Sequence, residues 1–309
     1  MAAKTGTEQK IPRRGFWAAL RSLNKSKRVS RSKAGTVFLV LLLSLFALFM
    51  AMPMAYMISN SFKPQDELLV FPPKLLPTNP TLRNFRDMFT VMSSNNVPFL
   101  RYIFNSFLVT GVGAAGHILL SSMCAFPLAK KKFPGSKLLF LLVVYSLMFN
   151  TAVTAIPNYL VMSTLGWIDT YLALIIPAFG MPLGLYLMKQ FMEQIPDSLL
   201  EAARIDGASQ WQVFWRIVMP NVKSAWLTLL LLSVQNLWPI GDSNFIYKEE
   251  LKTLAYALGQ IQGTGVTVNI ARAGVGAAVS VFMMIVPILI FVFSQSNIIE
   301  TMSSSGMKD

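Results

Sequence analysis

The chain has 309 residues, of which 54% are hydrophobic and only 13% charged, with a mean hydropathy of +0.52. Soluble domains carry roughly 25% charged residues, so this composition excludes an ordinary water-soluble fold and points to an integral membrane protein. The lone cysteine, Cys124, excludes an intramolecular disulfide and a cysteine metal cluster.

Residues 1–33 form a basic tail that holds ten of the 27 Lys and Arg residues and ends in "RSLNKSKRVSRSK". Basic residues directly before a span rest on anionic headgroups and set its orientation. That role accounts for most of the net charge of +13 without a nucleic-acid partner. The first apolar run is too long for the core of a cleaved signal peptide, and no small-x-small cleavage pattern follows it.

A charge at the bilayer centre is costly, and about 20 apolar residues cross the hydrocarbon, so runs free of Asp, Glu, Lys and Arg mark the spans. Six such runs occur: Ala34–Phe62, Tyr102–Ala129, Leu138–Ile168, Thr170–Met188, Ser224–Gly241 and Ala273–Ile299. They predict an all-α membrane domain over 34–299, with spans at about 35–59, 102–129, 138–158, 170–191, 222–242 and 273–296. A Pro-rich external loop fills 60–100, with a short helix near Leu82–Phe89, and a tail covers 300–309. The uncharged run Thr253–Ala271 contains "GQIQGTGVTVN", too polar for lipid, and reads as an external loop or a re-entrant segment. The basic tail and "KKKFPGSK" lie on one side of the membrane. Acidic residues such as Asp66, Glu67, Asp169, Asp242 and Glu249 collect on the other, which places both termini in the cytoplasm.

Between the fourth and fifth spans, in the cytoplasmic loop 193–220, stands the polar stretch "IPDSLLEAARIDGASQWQVFWRIVMP". Its spacing predicts two short helices about a glycine. Ser198 precedes Glu201 by three residues, and Ser209 precedes Gln212 by three, each pair a capping box. Gly207 stops the first helix, Leu199–Asp206, in a left-handed turn. Trp211, Phe214, Trp215 and Val218 recur at i, i+3, i+4, i+7 as an apolar stripe facing the membrane or the bundle, and Pro220 breaks the second helix.

Within this loop Glu201, Ala202, Ala203, Asp206, Gly207, Ala208, Ile217 and Pro220 resemble the EAA loop of permease subunits of ATP-binding-cassette importers. Met219 stands where that family usually has leucine. "IPNYLVMSTLGWIDTYLALIIPAFGMPLGLYLMKQFMEQIPDSL" and "NPTLRNFRDMF" are similar to the carbohydrate-uptake branch, in particular the smaller maltose-type permease subunit. The resemblance implies a six-span, type I importer fold in a bacterial cell membrane, and a non-catalytic subunit. It implies two ATPase subunits that bind ATP and Mg²⁺, a second and different permease, an extracytoplasmic solute-binding protein, and a sugar or oligosaccharide as cargo. It also implies that the first loop helix docks on an ATPase. Glu201 would pair with a basic residue there, Ala202 and Ala203 would permit close backbone approach, and Gly207 would supply the bend.

The chain's own chemistry agrees with a partner as energy source. No G-x-x-x-x-G-K-[ST] loop is present to bind ATP, and the spans lack the Asp or Glu of an ion-coupled carrier. One His, one Cys and no carboxylate well inside a span leave no means for a membrane-embedded enzyme. Candidate pathway residues are Asn150, Asn158, Tyr159, Gln235, Asn236 and Trp238, since amides bond hydroxyls and aromatic faces stack on sugar rings. The alternative for each is to join neighbouring helices. His117, in the second span, reads as a neutral imidazole bonded to an adjacent helix, and the Gly111–Ala115 spacing reads as tight helix packing.

Overall fold

A computed structural model of the protein describes residues 33–68, 70–91, 97–149, 151–241, 244–262 and 270–305. These residues form helices and no strand, the solution that satisfies each backbone N–H and C=O within its own segment. The first helices are α1 (Lys33–Ser61), α2 (Gln65–Leu68), α3 (Arg83–Val91) and α4 (Phe99–Lys130). Next come α5 (Ser136–Ser146), α6 (Thr151–Thr164), α7 (Leu172–Phe179), α8 (Pro182–Glu193) and α9 (Asp197–Ile205). Helices α10 (Gln210–Asn221), α11 (Lys223–Leu237), α12 (Leu254–Gln262) and α13 (Ile270–Ser305) complete the order.

Among the described residues, four stretches are long and apolar enough to cross a membrane: Ala34–Ser61, Phe99–Lys130, Leu172–Glu193 and Arg272–Gln295. A fifth is reached if α10 and α11, bent by 77° at Val222, count as one. The uncharged run 138–168 is instead divided between α5 and α6. The chain forms two compact units, Met1–Met54 and Ala55–Asp309. Of the first, the described part is the apolar opening of α1, whose large side chains from Val37 to Met50 are exposed except for half-buried Leu39.

In the second unit α4 is the central rod, packing along α7, α8 and α11, while α13 packs on α11, α12 and α3. The start of α4 joins Met88, Val97, Leu254, Val275 and Val279 through Phe99 and Tyr102. Its end joins Met188, Met192, Leu200, Val213 and Val218 through Ala125 and Phe126. Helix α12 therefore belongs to the packed bundle, which accounts for the apolar half of a run read as an external loop or re-entrant segment.

Close approach to α4 is made at Gly113 and Gly116, not at Gly111 as the small-residue spacing led us to expect. A Cβ on Gly113 would lie 2.8 Å from Leu237 Cδ1, and one on Gly116 2.0 Å from the Phe179 ring. Nothing lies within 4 Å of the same position on Gly111. Gly113 is set against α11 and α7 and Gly116 against α7, whereas Gly111 and Ala115 are exposed along an open groove between α4, α11 and α13. Pro182 opens α8 and holds Met181 extended, separating α8 from α7.

The Pro-rich segment is tied down by named bonds. Buried Lys63 donates to Asn60 Oδ1 at 2.7 Å and to Lys74 O, and Asn84 Nδ2 donates to Ser61 O and Lys63 O at 2.9 and 2.7 Å. A second clamp sits between α6 and α7. Asp169 adopts φ 59°, and its Oδ1 accepts the backbone N–H groups of Tyr247 (2.6 Å) and Lys248 (2.9 Å).

Those N–H bonds, from Lys248 and then Tyr247, hold the Asp169 carboxyl below the usual carboxylate range. Because the folded-state value is depressed, the clamp is fully present above the ordinary value of about 4 and is lost as pH falls through the lower folded value. Amide protection at Tyr247 and Lys248 is thus expected to stay flat from pH 8 to 5 and to fall in stronger acid. In Asp169→Asn, which keeps an acceptor and tolerates positive φ, protection should be lower at neutral pH and lose that acid dependence.

Candidate functional site

The loop after α8 is built as a helix, a bend and a second helix. Pro196, extended at ψ 134°, is the N-cap of α9, and Asp197 is its first residue. Ser198 therefore lies inside the helix, and the capping box expected with Glu201 is not formed. Proline at 196 forces Ile195 out of helical conformation, so α8 must end before it and α9 begins directly after it, two residues early. The second box is present: Ser209 Oγ accepts from Gln212 N at 3.3 Å, and Gln212 Oε1 accepts from Ser209 N at 2.7 Å.

The C-terminus of α9 is a Schellman cap. Gly207, at φ 83°, donates its N–H to Arg204 O at 3.0 Å, and Ala208 N donates to Ala203 O at 2.9 Å. Ala203 and Ala208 both pack against the cluster that contains Leu200, Val213 and Phe214. The motif thus separates by face. Ala203, Gly207 and Ala208 build the cap and its seat. Ser198, Glu201, Ala202 and Ile205 form the exposed stripe at three- and four-residue spacing, with Ile205 86% exposed. Glu201 has neither an ion pair nor a hydrogen bond among the described residues, and Asp206 is the exposed C-cap.

In α10, Phe214 and Val218 are buried as the stripe predicts, but Trp211 and Trp215 are exposed. A π-helical turn over Phe214–Val218 rotates the face. The same turn carries the helix through exposed Pro220 to Asn221, so the break falls at Val222 and not at Pro220. Ile217 is half-buried on the seat.

The pathway candidates among the described residues do not form one cluster. Trp238 is buried, its Nε1–H donates to Met283 O at 2.8 Å, and Phe107 meets it edge-on. It joins α11 to α13. Asn236 donates to Leu232 O on its own helix at 2.9 Å, with its side chain and that of Gln235 exposed. Tyr159 on α6 stacks with Phe245, and Asn158 beside it is exposed. Asn150 lies outside the described residues. A groove of about 520 Å³ between α4, α11 and α13 is lined mainly by apolar side chains such as Phe107, Ala114, Val234 and Val286. Of the five candidates among the described residues, Trp238 alone borders it.

His117 joins three elements. Its Nε2 lies 3.1 Å from Met181 O, and its Nδ1 lies 2.9 Å from Ser233 Oγ, a hydroxyl that itself donates to Leu229 O at 2.7 Å. Two residues with structural consequence escape a reading of the sequence. Ile205 was signalled only by its place four residues after Glu201, and Lys130 was hidden in a run of lysines that reads as topology charge.

A family model described as the binding-protein-dependent transport system inner membrane component matches residues 117–298, more than half of the chain. The chain belongs to this family. The permease is therefore the non-catalytic membrane subunit of an ABC transporter, and ATP hydrolysis is the work of a separate chain. It is 36% identical to Protein LplC of Bacillus subtilis over 67% of its own length and 69% of that protein's. It is 27% identical to the B. subtilis arabinooligosaccharides transport system permease protein AraQ, over 93% and 99%. The permease also shares its fold with a chain of a bacterial ABC transporter involved in importing the acidic polysaccharide alginate, at a TM-score of 0.73 and 23% identity, covering 87% and 99% of the two chains. That is the type I importer permease fold.

Proposed function

We propose that this permease forms half of the translocation pathway of an ATP-driven importer for a sugar or oligosaccharide, with α9 as the helix that docks on a partner ATPase. The observation that carries this reading is the stripe of Glu201, Ala202 and Ile205, exposed on a short helix whose other face is fixed by a Schellman cap and a buried seat. An apolar tip beside an unpaired carboxylate is a surface prepared for a partner with a groove and a basic residue.

Six spans follow if α5 and α6 cross as one interrupted span and α11 crosses after the 77° bend, with both termini and α9 in the cytoplasm. ATP and Mg²⁺ belong to two ATPase subunits, and a second permease and an extracytoplasmic solute-binding protein complete the assembly. The bacterial plasma membrane is the site. The names of AraQ and of the alginate importer support carbohydrate cargo.

The test is reconstitution of this chain in vesicles with its co-encoded ATPase, second permease and solute-binding protein. Sugar uptake that needs ATP and all four components is the expected result. Solute flux through this chain alone would instead identify a secondary carrier.

A further inference from the structure

Two lysines are buried at the end of the bundle that carries α9, with side chains only 5% (Lys130) and 11% (Lys189) exposed. A buried ammonium is costly unless each of its three donors is used. Lys130, the last residue of α4, meets this demand with acceptors from the end of α8, the joint that follows it and the start of α9. Its Nζ donates to Glu193 O at 3.3 Å, to Ile195 O, and to Asp197 Oδ1 at 2.9 Å. Glu193 is the last residue of α8, whose final carbonyls have no partner within the helix and attract a cation. Asp197 is the first residue of α9. Lys189 completes the fastening from α8 itself: its Nζ lies 2.5 Å from Glu193 Oε1 and 3.9 Å from the centroid of the Phe140 ring on α5.

We propose that Lys130 is a positioning residue, a latch that binds the end of α4, the end of α8 and the start of α9 into one rigid body. Displacement of α9 then moves the central rod of the bundle directly. Without the latch, the same displacement is absorbed in the short joint Gln194–Pro196. The exposed Asp197 arm is the weaker part, as exposed ion pairs contribute little. The two backbone carbonyls are the stronger one, because they stay with the helix ends whatever the side chains do.

The inference rests on α9 being the docking helix, and the experiment separates the two. With Cys124 replaced by Ser, spin labels at exposed Lys132 and Arg204 report the distance from the end of α4 to α9 in the reconstituted transporter. That distance is expected to hold within about 1 Å between nucleotide-free and ATP-trapped states, below the ordinary scale of helix shifts. A label pair at Arg204 and Lys248 should change between the same states. A Lys132–Arg204 distance that changes between states overturns the latch. In Lys130→Met the ATP hydrolysed per solute imported is expected to rise about tenfold, the effect of losing a buried charged hydrogen bond worth at least 1.4 kcal/mol. Lys130→Arg, which can still serve the three acceptors, should restore the ratio. Unchanged coupling in Lys130→Met would refute the latch. If the ATPase still binds when α9 is broken by Ala203→Pro, the docking assignment fails. If binding needs α9 while Lys132 and Arg204 move apart, only the latch fails.

Discussion

Gly184→Ala is expected to destabilise the bundle by about 3 kcal/mol, far more than an ordinary surface substitution. A Cβ at this position would lie 2.2 Å from His117 Nε2 and 2.6 Å from Ser121 Oγ. The imidazole cannot step aside cheaply, since its two nitrogens are engaged by Met181 O and Ser233 Oγ on two other elements. Moving it leaves buried polar atoms unpaired, and leaving it forces α8 away from α4. Thermal unfolding in detergent, followed by size-exclusion, should show a midpoint lowered by roughly 5–10 °C. Gly111→Ala, on the open face of α4, is the matched control and should be nearly neutral. Combining Gly184→Ala with His117→Ala makes room for the methyl group, so the double variant should be less damaged than the sum of the two. A strictly additive result would mean that the glycine and the histidine do not share the contact.

The spans that hydrocarbon dictates were readable because water is absent there, and charge-free length alone identifies α1, α4, α7 with α8, and α13. Length without charge says nothing about where a helix ends inside such a run. The break between α5 and α6 and the bend at Val222 were therefore not readable. At Gly207, sequence and structure agree, since a left-handed cap is a local matter that one glycine decides. At Ser198 the same kind of local rule failed. Pro196 restricts the residue before it and starts α9 earlier than the serine would. No proline competes near Ser209, and its capping box formed. The apolar stripe of α10 divides, with Phe214 and Val218 in the bundle and Trp211 and Trp215 exposed, and a periodicity of 3.6 does not anticipate the π-helical turn at Phe214–Val218. Asp169 and Lys130 gain their partners from residues 63 to 79 positions away, and no pattern of neighbours encodes such contacts. The contact of the Trp238 indole N–H with Met283 O on α13 is of the same kind, since it joins residues 45 positions apart.

Replacing Glu201 with Lys together with Ala203 with Pro is expected to reduce ATP-dependent uptake by about 100-fold while the chain remains in the membrane. The two changes strike different requirements. Glu201→Lys reverses the charge of an exposed side chain that has no partner within the described residues, so it alters recognition and leaves the fold alone. Proline at 203 removes a helical hydrogen bond and clashes with the preceding turn, which costs about 3 kcal/mol in a helix interior, or two orders of magnitude in the population of a formed α9. It also disturbs the carbonyl that receives Ala208 N–H, and with it the Schellman cap. The cap and the exposed stripe can be told apart with single variants. Glu201→Lys and Ile205→Ser should each weaken ATPase capture, measured by co-purification, without lowering the thermal midpoint. Gly207→Val should lower both, because a β-branched residue at φ 83° is strained. If full uptake persisted in the double variant, α9 would be an ordinary connecting helix, and the motion that drives transport would have to enter the bundle elsewhere.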